Sequence, residues 1–255
     1  PIEVEGNDVD VVLRRYTMTG LGFWSSIQAR GQDDNEPYEE ILAAPITLVA
    51  NGDTEITGEG KFTELEDNHV VYQSRGETPA VSVALKNTIE EDGCMRVELT
   101  LQPGTARPNT EHRTLNTLVL DIPLKDDMAP FYHVSSTRLR TNPVGAAPEG
   151  EGVVWTSDDY PAGDWFGNFH PYFWLGGVAR GICWFADNDK GWVLDMDEEV
   201  PPQEIIRKDG VLTLRLNLVQ RPITLEKPRT LVFGMQPTPA KPMREDWRAF
   251  QRPEH

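Results

Sequence analysis

Basic residues are scarce: 24 lysines and arginines stand against 41 aspartates and glutamates, a formal net charge of −17. Nucleic acid and anionic membrane surfaces are therefore disfavoured as partners, since both need clustered Lys and Arg to offset phosphate. Cysteine is nearly absent, and Cys94 and Cys183 have the spacing of neither a disulfide framework nor a zinc knuckle, which predicts two free thiols. No apolar run approaches the roughly 18 residues of a membrane-spanning helix, and the first residues lack the basic start and hydrophobic stretch of an export signal. The chain begins at Pro1 and not at methionine, so it reads as a processed or excised piece. The histidines, at 69, 112, 133, 170 and 255, form no HxH or HExxH pattern, so no histidine-based zinc site is expected. There is no G-x-S-x-G elbow, no P-loop and no G-x-G-x-x-G.

Long helical periodicity is also missing, because 20 prolines and 21 glycines interrupt it. What is present is alternation with a period of two, the mark of strands with one buried face. Runs at 9–13, 45–49 and 69–72 are rich in branched residues, and Ala80–Leu85 returns as Met95–Leu101 across an acidic turn ending at Gly93. Further strands are predicted at 114–122, 131–139, 151–155, 181–186, 191–195, 203–207, 211–219 and 229–235. Asn188-Asp189-Lys190-Gly191 reads as a hairpin turn between strands holding Trp184 and Trp192. With no internal repeat and no alternating helices, the expected fold is all-β, a large antiparallel two-sheet sandwich over residues 1–235. Residues 236–255 read as a proline-rich connector followed by a short helix, Met243 to Phe250, the start of a link to a further domain.

Half of the chain's aromatic residues fall between Trp155 and Trp192, interleaved with glycine. Flat rings beside acid and amide groups suit a sugar-binding surface, and the same rings suit a core. The residues expected to line such a surface are Trp155, Asp164, Trp165, His170, Trp174 and Trp184, although alternation prevents all four tryptophans from facing one side. His170 with Asp164 offers an alternative reading as a proton-transfer pair of a sugar-acting lyase, epimerase or hydrolase. Asp187–Gly191 and Asp195–Glu199 carry alternate acids that suit calcium, but neither matches the EF-hand pattern, so no cofactor is expected.

The series Trp174-Leu175-Gly176-Gly177, Gly181–Ala186, Asp189–Trp192 and Pro228–Pro242 resembles the β-sandwich module of glycoside-hydrolase-like proteins related to family 123, specifically over about residues 172–247 and only architecturally over 1–150. The resemblance implies a secreted or periplasmic carbohydrate-active protein whose catalytic carboxylates lie in a (β/α)₈ barrel outside this chain, so no position here inherits them. It also implies an accessory role, with a glycan or the catalytic barrel as partner. A self-assembling homo-oligomeric surface protein is the third expectation.

Overall fold

Branched and aromatic residues at every second position drive the chain into strands that bury one face and wet the other. The computed structural model describes residues 2–31, 35–105, 113–135, 142–159, 168–195, 197 and 200–242. The chain opens with an antiparallel five-stranded sheet: β1 (Glu3–Glu5), β2 (Asp8–Val11), β3 (Arg14–Met18), β4 (Trp24–Ala29) and β5 (Glu39–Glu40). β6 (Thr47–Ala50) and β7 (Thr54–Glu55) begin a second sheet. β8 (Gly58–Leu65), β9 (His69–Glu77), β10 (Val81–Glu90) and β11 (Met95–Pro103) form a meander in a third.

The chain then passes back and forth between the last two sheets. β13 (Leu118–Lys125) joins the second, β14 (Phe131–Ser135) and β15 (Val144–Ala146) the third, β16 (Gly152–Thr156) the second, and β17 (Tyr172–Gly176) and β18 (Gly181–Phe185) the third. β19 (Gln203–Lys208) and β20 (Val211–Val219) return to the second, and β22 (Arg229–Thr238) closes the third; the short β12 (Thr114–Leu115) and β21 (Ile223–Thr224) pair with each other. The result is a nine-stranded sheet in the order β15-β14-β17-β18-β22-β11-β10-β9-β8 and a six-stranded sheet in the order β16-β19-β20-β13-β6-β7. Among the described residues every ladder is antiparallel and none of the sheets closes into a barrel, which is the expected all-β sandwich with an additional N-terminal sheet.

Alternation decides what lies between the layers. On β10, Val81, Val83, Leu85 and Ile89 are buried while their neighbours are not; on β13, Leu118, Leu120, Ile122 and Leu124 do the same. These residues belong to one continuous hydrophobic cluster running from Ile2 to Met235. The N-terminal sheet is tied to the nine-stranded one by polar side chains that reach backbone carbonyls: Asn87 Nδ2 donates to Gly22 O at 2.5 Å, and Ser74 Oγ donates to Leu21 O at 2.5 Å.

Two expectations change. Residues 191–195 are not a strand paired with β18, and Asn188–Gly191 is not a hairpin turn. Trp192 N bonds back to Asp189 O, and Val193 makes an isolated parallel bridge to Val219, so this segment carries the chain from one sheet to the other. The final strand runs through Pro237 and Thr238, which pair with Ile182 and Gly181, so residues 236–238 are part of the sheet. The predicted helix at 243–250 lies outside the described residues.

Candidate functional site

The aromatic run at 155–192 is divided by the two faces of β17 and β18. On the inward face, Phe173 and Trp184 are opposite one another and fully buried. Trp184 sits edge-on to Phe169 (ring centroids 6.1 Å) and Trp192 (5.9 Å), beside Phe233. Trp155 packs edge-on against Phe173 at 5.0 Å and is only 3% exposed. Each such ring removed from water contributes roughly 1.5–3 kcal/mol.

His170 belongs to this interior as well. Its ring is 0% exposed, set between Trp155 (5.7 Å) and Phe173 (6.2 Å), with Nδ1 at 3.1 Å from Ser135 O. Its backbone is clamped by the buried Gln203 side chain: His170 N donates to Gln203 Oε1 at 3.0 Å, and Gln203 Nε2 donates to His170 O at 2.8 Å. The expectation that Trp155, Trp184 and His170 line a surface is therefore corrected. Their side chains take the inward positions, where burial of large rings outweighs any exposed role, and the His170 side chain is fully buried. Asp164 and Trp165 lie outside the described residues.

The outward face of the same strands is different. Trp174 is the one tryptophan among the described residues that is not buried. Its indole lies down across the sheet toward β22: Nε1 reaches Thr238 Oγ1 at 3.4 Å, and the ring fills the space that a side chain would need at Gly176 or Gly181, where an added Cβ would come within 2.7 Å of Cζ2 or 2.9 Å of Nε1. Phe185 does the same over Gly234, where a Cβ would stand 2.2 Å from Cζ, and the ring is 36% exposed. Glycine on the neighbouring strand lets each ring recline against backbone on the outward side of the sheet.

Around these two rings stand Tyr172, opposite Phe185, and His133, opposite Trp174 and edge-on to Tyr172 at 5.7 Å. Exposed Phe131 and Val144 extend the surface toward the β15 edge. Polar groups frame it: Gln236 follows Cys183 in the same cross-strand row, and Arg96, ion-paired to Glu98, lies beyond Gly234. Tyr172 Oη and Cys183 Sγ are 3.2 Å apart, and burial pushes both the phenol and the thiol upward from their ordinary values. The Cys94 thiol is pushed up to about 11, by burial first and then by Asp92 and Glu90. Both cysteines are free, and at neutral pH they are protonated and poorly nucleophilic. Only Trp174 of this surface was singled out from the sequence. The signal that could have found its companion is the pairing of Phe185 with a glycine, which needs the register of two strands almost fifty residues apart.

Among the described residues no three His, Cys, Asp or Glu side chains converge as a metal site. Asp187 and Asp189 are exposed, and Asn188 Oδ1 accepts from Lys190 N. Among those residues, too, no helix is long and apolar enough to cross a membrane.

The family model for the third domain of glycoside hydrolase 123 matches residues 2–186. The chain belongs to that family. The match covers the N-terminal segment where the sequence resemblance was only architectural, and it overlaps the motifs that carried the resemblance only at 172–186. No curated protein matches the chain. Among solved structures it is similar to a galactose mutarotase related enzyme from Lactobacillus acidophilus, with 7% identity over 94% of this chain and 98% of that one and a TM-score of 0.47. An α-galactosidase from Lactobacillus brevis is similar at 10% identity over 94% of this chain and 39% of that one, with a TM-score of 0.41. A GalM/aldose epimerase homologue from C. elegans is similar at 6% identity over 93% and 97%, with a TM-score of 0.39.

Proposed function

We propose that this domain is a non-catalytic accessory module of a glycoside hydrolase, linked to a catalytic domain and binding neutral glycan on the outward aromatic face of the nine-stranded sheet. The observation that carries this reading is the posture of Trp174 and Phe185, which recline over glycines on the outward face and remain half-buried and exposed respectively. A pyranose offers a flat C–H face to such a ring while its hydroxyls point to the rim, where Gln236, Thr238 and the Arg96–Glu98 pair supply donors and acceptors. The net charge of −17 favours a neutral chain over a polyanionic one. Family membership supports the accessory role, since a third domain works beside others. The inward side chain of His170, held in the core, speaks against the alternative of a stand-alone sugar-acting enzyme.

Calorimetric titration of neutral polysaccharides tests this. Trp174→Ala is expected to weaken binding roughly 10–30-fold, the cost of truncating an aromatic anchor being on the order of 2 kcal/mol. The thermal midpoint should hold, because the indole is half-exposed and outside the core cluster. Unchanged affinity in a folded Trp174→Ala variant contradicts the reading.

A further inference from the structure

The two reclining rings are not neighbours. The Trp174 indole lies over Gly181 and the Phe185 ring over Gly234, which is directly opposite Phe185 on β22. Gly181 and Phe185 are the two ends of β18, four residues apart, so the ring platforms are separated by about 14 Å along the strand at a rise of about 3.4 Å per residue. A single pyranose cannot touch both. Between them, on the same face, stand Cys183 with the Tyr172 hydroxyl against it and, one strand over, the Gln236 amide, whose Nε2 donates to Asp92 O at 2.9 Å.

We infer that this face takes an internal stretch of a linear neutral glycan, roughly three or more pyranose units laid along β18 at the separation the strand rise sets, and not a single terminal sugar. The first and last of these units stack on Trp174 and Phe185, and the intervening one passes over Cys183 and Gln236. The inference rests on the aromatic face being the glycan site. Each platform alone gives a weak contact, and joining them through one ligand makes the second contact intramolecular, so affinity should climb steeply once the chain is long enough to span both.

The test is a titration of the full chain with neutral β-linked cello-, manno- and galacto-oligosaccharides of increasing length, from monosaccharide to hexasaccharide. The expected result is weak binding of the mono- and disaccharide, at least a tenfold rise on reaching the tri- or tetrasaccharide, and a plateau beyond. Phe185→Ala should abolish that rise while leaving the short ligands' affinity at Trp174 in place. Affinity independent of length, yet lost in Trp174→Ala, overturns this inference and leaves the glycan assignment standing. No binding across the whole series, or binding indifferent to both substitutions, overturns both. Circular dichroism of each variant separates loss of the site from loss of the fold.

Discussion

Replacing Arg14 with alanine is expected to destabilise the domain by about 3–6 kcal/mol, since a charge-assisted hydrogen bond contributes roughly 1.5–3 kcal/mol and two are lost. Arg14 is fully buried at the start of β3. Its guanidinium donates to Asp92 O in the β10–β11 turn and to Pro239 O just past β22, and the adjacent Tyr16 Oη donates to Gly93 O at 3.1 Å. One side chain thus fastens the N-terminal sheet to two separate parts of the nine-stranded sheet. Without it Pro239 O loses the guanidinium donor, and Asp92 O is left with Gln236 Nε2 alone. Domains of this kind are stable by about 5–15 kcal/mol, so the loss takes a large share of the total. Urea unfolding measures it through the midpoint, with the slope unchanged. Arg14→Lys should recover part of the stability by restoring one donor. A cost under about 1 kcal/mol for Arg14→Ala would mean that the two carbonyls find other partners and that the clasp is dispensable.

Gln203→Leu should cost about 3 kcal/mol, because it removes the partners of the buried His170 N–H and C=O at about 1–3 kcal/mol per unsatisfied atom. The side chain satisfies His170 N and His170 O together, and the Gln203 backbone in turn exchanges hydrogen bonds with Ser157, through Ser157 N to Gln203 O at 2.9 Å and Gln203 N to Ser157 Oγ at 3.3 Å. Leucine keeps the volume and removes the hydrogen bonds, so the effect isolates the amide. The same variant discriminates between roles for His170. If His170 is a core residue, thermal stability falls and glycan affinity at the outward face does not. A fall in affinity with stability preserved would place the histidine in the functional machinery after all.

How much of this was legible in the sequence depends on what each face demanded. The β10–β11 hairpin was plain, since Val81, Val83 and Leu85 alternate with polar residues and the return strand mirrors them in register, Leu85 against Leu99. The 211–219 strand coincides with β20 for the same reason. β3 was missed because its buried position 14 is an arginine, which reads as solvent-facing until its carbonyl partners are known. β8 was missed because its less exposed positions are Gly58, Gly60 and Phe62, so its alternation leaves little trace in hydrophobicity. β17 sits inside a run that is aromatic on both faces, where a period of two leaves no trace in hydrophobicity.

That last feature also governs the site. From sequence, Trp184 and Phe185 are rings on adjacent positions, and only Trp184 is among the residues expected to line a ligand surface. The fold turns Trp184 inward against Phe169 and Trp192 and leaves Phe185 outside over Gly234. The choice is made by strand register across the sheet, which local pattern does not encode. The sequence names Trp174 among four tryptophans without distinguishing its face, and the meaning of Gly181, whose lack of a side chain makes room for the indole, emerges only once β17 and β18 are paired.

The central claim, that the outward aromatic face is where a glycan binds, is tested most directly by following the indole N–H signals in a nitrogen-15 correlation spectrum during titration with a neutral oligosaccharide. The account predicts a large shift for Trp174, together with Phe185 and Tyr172 ring protons, while the buried indoles of Trp24, Trp155, Trp184 and Trp192 stay in place. Shifts confined to other parts of the surface, with Trp174 unmoved at saturation, would contradict it.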